Sequence, residues 1–293
     1  MPLTFERSFR VRNYECDANG HLNSANYLRM MQETAFDASA AGGYGMRRYA
    51  EMNRYWLIRA TEIEYLRPLY YDERLTIRTW ISDFRRVSSR RRYDFCLEGS
   101  GELCAQAHTD WVFLDATTQQ PAKIPPTLAR DFYPEGVPAS FPPRVPFPEP
   151  PTPPPGVFTI HRRVEWGDLD PMQHVNNAVY MDYANECGFL AVAAFQWPWE
   201  RIREAGFAIL LRRVQIQYLL PALLGDKLEI ATWASGVKRS TATRHYTIRR
   251  ASDGALLCQM NMLGVWIDLA TSRPIRIPPQ FLADFASNIT NLK

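Results

Sequence analysis

Long apolar runs are missing from this sequence. No stretch approaches the roughly 18 consecutive apolar residues that a membrane-spanning helix needs, and the first residues, "MPLTFERSFRVRNYE", contain no apolar core of signal-peptide length. Both absences point to a cytoplasmic protein with no membrane partner. Cysteine is scarce too: Cys16, Cys96, Cys104, Cys187 and Cys258 are odd in number and form neither CxxC pairs nor a metal-ligand spacing. That excludes a disulfide framework and a structural zinc site. Cys16 stands beside Asp17, which invites a nucleophile reading, yet the matching position 153 residues later is Leu169. A small, half-buried apolar role suits Cys16 better. Charge of one sign is also lacking, for a net +3 is too small to imply a nucleic-acid partner. What remains, 46% apolar and 22% charged residues in a chain of 293, describes a globular protein with room for two ordinary domains.

What is present in quantity is repetition. "DANGHLNSANY" at residues 17–27 returns as "DPMQHVNNAVY" at 170–180, an offset of 153 that holds without a gap along the chain. Tyr65 and Pro68 meet Tyr218 and Pro221, while Leu75, Ile77, Thr79, Trp80 and Ser82 meet Leu228, Ile230, Thr232, Trp233 and Ser235. Asp115, Pro121, Ile124, Pro125 and Pro126 meet Asp268, Pro274, Ile277, Pro278 and Pro279. One domain is written twice. Between the copies, residues 134–155 hold eleven prolines in twenty-two positions. Such a segment favours extended polyproline geometry and acts as a semi-rigid strap. The expected boundaries are a first domain over 1–133, a proline-rich linker over 134–156 and a second domain over 157–293.

Within each copy the order reads strand, loop, helix, then several strands. "FERSFRVRNY" alternates as a strand does, and "ANYLRMMQETAFDASAAGG" has the composition of a buried helix stopped by Gly42 and Gly43. "ATEIEYL", "RLTIRTWIS", "RRRYDFCLE" and "LCAQAHTDWVFLD" are rich in β-branched and aromatic residues with partial period-2 alternation. In the second of these, Leu75, Ile77, Thr79 and Ile81 share one face. Tyr27, Tyr180, Trp80 and Trp233 are expected in core packing. The fold class is α+β, an antiparallel sheet wrapped around a central helix, twice over. Pairing of exposed sheet edges would make the two copies an intramolecular pseudo-dimer, with further homo-oligomerisation left open.

The strand, the DxxxHxNxAxY loop, the long helix and the following xxYxxP resemble the hotdog-fold thioesterases of the 4-hydroxybenzoyl-CoA and acyl-carrier-protein thioesterase groups. "DLDPMQHVNNAVY" is especially similar to the second of these. The resemblance spans nearly the whole chain outside the strap. It implies two tandem hotdog domains and an acyl-CoA or acyl-carrier-protein substrate, with no metal and no organic cofactor. In the acyl-carrier-protein group the catalytic residues are an Asp, an Asn two positions on and a His four positions on. By position these are Asp17, Asn19 and His21 in the first copy, and Asp170 and His174 in the second, where Met172 replaces the Asn. In that group the second hotdog usually carries catalysis, but the complete set here favours the first. The group's further acidic residue has no clear match; Glu33 and Glu186 on the central helices are candidates to supply a carboxylate.

The chemistry needs these residue types. A thiolate leaves readily because its conjugate acid has a pKa near 8.5, so the demanding step is attack on the carbonyl. A carboxylate performs it by deprotonating water or by direct attack to form an anhydride. Partial burial would raise the basicity of Asp17 or Asp170. Backbone N–H groups at the helix starts, around 22–25 and 175–178, would form an oxyanion hole, with Asn19 positioning water and His21 or His174 orienting the Asp or donating to the oxygen. Helix capping alone explains one such Asp, but not a duplicated Asp, His and Asn set.

Asn23 and Asn176 are candidate substrate-binding residues. So are the basic hairpin residues Arg85, Arg86 and Arg91, with Arg90 and Arg92 beside them, and Lys238 and Arg239, with Arg244 beyond. Their positive charge suits coenzyme A phosphates or an acidic carrier helix, although a solvated strand face that blunts a sheet edge gives the same pattern. Two other functions compete with hydrolysis. A hotdog hydratase or dehydratase resembles "DxNPxH", one residue longer between Asn and His than "DANGH". A non-catalytic acyl-thioester binder is the other, and no DNA-reading segment accompanies the repeats to make it a regulator.

Overall fold

The computed structural model describes residues 1–290, which form two compact units, Met1–Pro146 and the chain from Phe147 onward. In the first, β1 (Thr4–Arg10) leads through a short 3-10 turn to α1 (Ser24–Ala41) and α2 (Met46–Glu51), followed by β2 (Arg54–Tyr65), β3 (Arg74–Phe84), β4 (Ser88–Leu97), β5 (Leu103–Asp115) and α3 (Pro126–Asp131). The second repeats this as β6 (Phe158–Arg163), α4 (Val179–Ala194), α5 (Trp199–Glu204), β7 (Phe207–Tyr218), β8 (Lys227–Ser235), β9 (Thr241–Arg250), β10 (Leu256–Asp268) and α6 (Pro279–Asp284). The strands run in the order β1-β3-β4-β5-β2 in the first unit and β6-β8-β9-β10-β7 in the second, antiparallel throughout. The expected arrangement, an antiparallel sheet against a long helix, is therefore built twice.

Alternation decides which face turns inward. Leu75, Ile77, Thr79 and Ile81 of β3 are all buried, as are Leu228, Ile230, Thr232 and Ala234 of β8. Each set meets the apolar side of its helix: Tyr27, Leu28, Met31, Ala35 and Ala38 on α1, and Tyr180, Met181, Ala184, Cys187 and Ala191 on α4. Contact at α4 is close, for a Cβ added to Gly188 would run into the hydroxyl of Tyr246 on β9. As expected, α1 ends at Gly42, and Gly43 takes the left-handed φ of 87° that a side chain resists. Tyr27, Tyr180 and Trp233 are core residues, whereas Trp80 is half-buried on the outer face with Arg78 over its ring.

One feature departs from the sequence reading. The first strand stops at Arg10 because, although the Val11 N–H still reaches the Glu73 carbonyl in register, the Glu73 N–H turns to Tyr70 O instead of returning to Val11, and Asn13–Glu15 then curls into the 3-10 turn. The proline segment, read as a semi-rigid strap, is tied by side-chain bonds to the folded units. On the first unit, Arg85 donates to the carbonyls of Phe141 and Pro142, and Arg144 pairs with Asp83. On the second, Asn261 donates to the Pro148 carbonyl and Thr290 to that of Thr152. The division between units falls inside this strap. Among the described residues no helix is long and apolar enough to cross a membrane.

Candidate functional site

Each DxxxH stretch is a tight loop closed by its own aspartate. Asp17 N–H donates to the His21 carbonyl at 2.7 Å, and its Oδ1 accepts from the N–H groups of Asn19 (2.8 Å) and His21 (3.1 Å). Asp170 N–H donates likewise to the His174 carbonyl at 2.9 Å, and its Oδ1 accepts from Met172 N–H at 2.9 Å. The chain reverses in each loop through a left-handed residue, Gly20 at φ 80° or Gln173 at φ 63°. Only the backbone N–H of the middle residue bonds to the aspartate, which explains why Met172 fits where Asn19 stands in the first copy. The loop then joins its helix through Asn23 or Asn176, whose Oδ1 accepts from the N–H two residues on at 2.9 Å.

The two aspartates differ in surroundings. Asp17 and Asn19 are exposed, while His21 is half-buried with its ring edge-on to Tyr70 at 5.2 Å. Asp170 and His174 are both half-buried. Burial pushes the Asp170 carboxyl above its ordinary value, against the opposing pull of the Met172 N–H and of His174. Glu33 and Glu186 lie on exposed faces of their helices, and Glu33 shares Arg7 with Asp37. Cys16 is half-buried beside Asp17, and its thiol is raised by burial and by that carboxylate, which suits the apolar reading rather than a nucleophile.

The helix mouths supply fewer donors than the sequence suggests. The N–H groups of Leu22, Asn23 and Ala25 already donate to Leu69 O, Glu15 O and Asn23 Oδ1, and those of Val175, Asn176 and Ala178 to Ala222 O, Asp168 O and Asn176 Oδ1. Within 175–178, and among the described residues, the Asn177 N–H is the one without an acceptor. The peptide that carries it is fixed from its carbonyl side, where Asn176 O accepts from the Val179 N–H at 3.0 Å, and the next peptide along is held by Tyr218, whose hydroxyl donates to Asn177 O at 3.0 Å. Tyr65 makes the equivalent bond to Ser24 O at 3.5 Å. The repeat had flagged both tyrosines through YxxP without revealing this role.

The basic set divides. Arg86, Lys238 and Arg239 are exposed, as is Arg92. Arg85 is engaged by the strap, and Arg90 makes a two-pronged pair with Asp110 at 2.6 and 2.8 Å. Arg91 does not belong to the exposed set at all. It shares the inward face of β4 with Ser89, Tyr93 and Phe95 and is 6% exposed, so it is out of reach of a carrier's phosphates. Arg244 occupies the equivalent inward position on β9, over the Phe285 ring. Among the described residues no group of three or more His, Cys, Asp or Glu side chains could hold a metal ion.

Comparison with known proteins gives a consistent family. The profile of the thioesterase-like superfamily matches residues 11–132 and 164–285. The chain is 26% identical over 202 residues to an oleoyl-acyl carrier protein thioesterase, chloroplastic, of Arabidopsis thaliana, covering 63% of this chain and 54% of that one. It is 25% identical over 195 residues to a palmitoyl-acyl carrier protein thioesterase, chloroplastic, of Cuphea hookeriana, covering 63% and 46%. The chain thus spans about half the length of these curated relatives. Among solved structures, a Lactobacillus plantarum protein assigned as an oleoyl thioesterase superposes with a TM-score of 0.78 at 20% identity over 90% of this chain and 96% of its own. The 12:0-ACP thioesterase of Umbellularia californica superposes at 0.69 and 16% identity over 89% and 93%. At these identities the structures establish a shared fold.

Proposed function

The chain belongs to the thioesterase-like superfamily, and from that premise we propose that it hydrolyses acyl thioesters with Asp170 as the principal catalytic carboxylate. The observation that carries this reading is the half-burial of Asp170 and the upward shift it causes, at a loop leading directly to the Asn177 amide. A carboxylate held above its ordinary value is a better base and nucleophile. Asp170 either takes a proton from water or attacks the carbonyl carbon itself. The Asn177 N–H, on a peptide whose carbonyl accepts from the Val179 N–H and whose neighbour Tyr218 holds, would receive the developing negative charge on the carbonyl oxygen without reorganising. His174 orients the carboxylate or donates to that oxygen. The thiolate then leaves with little help from an acid.

Asp17, Asn19 and His21 form a second, more exposed copy that we assign a supporting part. The curated relatives named as acyl-carrier-protein thioesterases favour an acyl-carrier-protein thioester over coenzyme A. Exposed Arg86, Lys238 and Arg239 suit an acidic carrier surface. A cytoplasmic site of action is part of the same proposal. Release of free thiol from acyl-carrier-protein and acyl-CoA substrates, followed colorimetrically, tests it. Hydrolysis of either supports the reading, and no thiol from any substrate of either kind would replace it with a binding role.

A further inference from the structure

On the outer face of the second sheet, away from α4, three side chains form a hydrogen-bonded line. His245 of β9 stands directly opposite Asn261 of β10 and diagonally from Ser235 at the end of β8. Directly opposed side chains on neighbouring strands lie about 5 Å apart and diagonal ones about 7–8 Å, within reach of an imidazole. Ser235 Oγ lies 2.7 Å from His245 Nε2, and His245 Nδ1 lies 2.6 Å from Asn261 Oδ1.

The protons in this line are fixed by chemistry. Asn261 Nδ2 donates to the Pro148 carbonyl at 2.8 Å, an oxygen that only accepts. The amide oxygen must therefore face His245, so Nδ1 carries the imidazole proton. Nε2 is left with a lone pair, and the Ser235 hydroxyl is its donor. Burial, with Arg244 adding to it, holds His245 below its ordinary value and so keeps it neutral, while the Asn261 hydrogen bond opposes. Thr232 pins the His245 carbonyl at 2.9 Å, and the Trp233 ring lies 5.6 Å from the imidazole. At the far end of the line Ser235 is only half-buried, and Gly236, exposed and left-handed at φ 59°, follows it. Apart from its chain neighbours Ser235 and Val237, only Thr243 Oγ1, at 3.9 Å, comes within 4 Å of where a Gly236 side chain would be. Exposed Lys238 and Arg239 continue the same hairpin.

We propose that Ser235, His245 and Asn261 constitute a second acyl-transfer site, with Ser235 as nucleophile, His245 as base and Asn261 as the residue that orients it, acting on small activated esters or thioesters with anionic leaving groups. The arrangement of nucleophile, base and orienting amide is that of hydrolases on unrelated folds, and it is recognised by geometry and not by sequence position. In the first step the Ser235 Oγ to acyl-carbon bond forms and the carbon to leaving-group bond breaks. The serine proton passes to His245 Nε2 and from there to the departing thiolate or alkoxide. Water then cleaves the acyl-serine by the reverse path. The first repeat has no such line: the equivalent residues are Ser82, Arg92 and His108, and Ser82 donates instead to the Arg90 carbonyl at 3.3 Å.

The test uses the full chain and a fluorophosphonate probe, which phosphonylates activated serines, with the modified residue located by peptide mass spectrometry. One adduct at Ser235 is expected, absent in Ser235→Ala and retained in Asp170→Asn, whose hydrolytic reading is separate. His245→Gln keeps a side chain able to bridge Ser235 and Asn261, so circular dichroism should match the parent while labelling slows by about 10²-fold or more. Labelling should also weaken as pH falls and His245 is protonated. No adduct at Ser235, or equal labelling rates in folded His245→Gln and the parent, would overturn the proposal and leave the line as an anchor for the strap.

Discussion

Tyr218 Oη lies 3.0 Å from the carbonyl oxygen of Asn177, and the peptide so held adjoins, through the Asn177 Cα, the one whose N–H stands at the mouth of α4, next to the loop that carries Asp170. The backbone unit proposed to meet the oxyanion is thus held at its own carbonyl by the Val179 N–H and flanked by a peptide that Tyr218 clamps. Tyr218→Phe removes the clamp and leaves the donor in place. It should lower kcat by about tenfold with little change in KM, well short of the about 10²–10³-fold seen when an oxyanion donor itself is lost. Steady-state kinetics on one acyl-carrier-protein substrate measures both parameters.

The raised Asp170 carboxyl gives two effects of opposite sense. Acting as base or nucleophile it must be ionised, so kcat/KM should fall on the acid side with an apparent pKa above the about 3.9 of an ordinary aspartate. Stability runs the other way. Between the unfolded and folded pKa values the native state holds more protons, so stability drops as pH rises through that window, and above it the carboxylate is a net cost. Asp170→Asn should therefore be inactive yet more resistant to urea at pH 7, with the gain vanishing below about pH 3.9. A variant less stable than the parent at pH 7 would contradict the sign.

Helix and sheet approach closely in the second unit at Gly188, where an added Cβ meets the Tyr246 hydroxyl. Gly188→Ala should destabilise by about 1–3 kcal/mol, the usual range for overpacking a filled core. Combining it with Tyr246→Phe, which removes the obstructing oxygen, should recover much of the loss. Urea midpoints of the four members of this cycle report the coupling.

The strap is tied down by an ion pair that burial makes costly to break. Asp83 has a side chain 7% exposed and is held by Arg144 from the proline segment, with Nε to Oδ2 at 3.0 Å. Arg144→Met leaves the carboxylate buried and unpaired, which should cost about 3–5 kcal/mol. Asp83→Asn in the same background should restore part of it, since an amide carries no charge to bury. Chemical denaturation of the single and double variants distinguishes this from a surface pair, where about 0–1 kcal/mol is expected.

Much of the architecture was legible because duplication doubles the signal. The buried faces of β3 and β8 and the stop of α1 at Gly42 and Gly43 follow from period-2 and helical patterning on two independent copies. The short helices α2, α3, α5 and α6 were not legible: each has six residues, too few for a periodic pattern to register. Arg91 shows a different failure. "RRRYDF" reads as uniformly basic, yet the pleat sends alternate residues inward, and counting back by twos from Phe95 through Tyr93 assigns Arg91 to the core. The contrast between Asp17 and Asp170 lay beyond reach, because their local hydrogen bonds are nearly the same and only their burial differs. Ser235, His245 and Asn261 come from three strands, and no linear spacing announces them.

The most direct test of the central claim is thiol release by Asp170→Ala and Asp17→Ala beside the parent, on one acyl-carrier-protein substrate under identical conditions. Loss of a positioned base or nucleophile should lower turnover by about 10²–10⁴-fold in Asp170→Ala, while Asp17→Ala keeps most of its activity. Full turnover by Asp170→Ala, with the loss appearing in Asp17→Ala, would contradict the account.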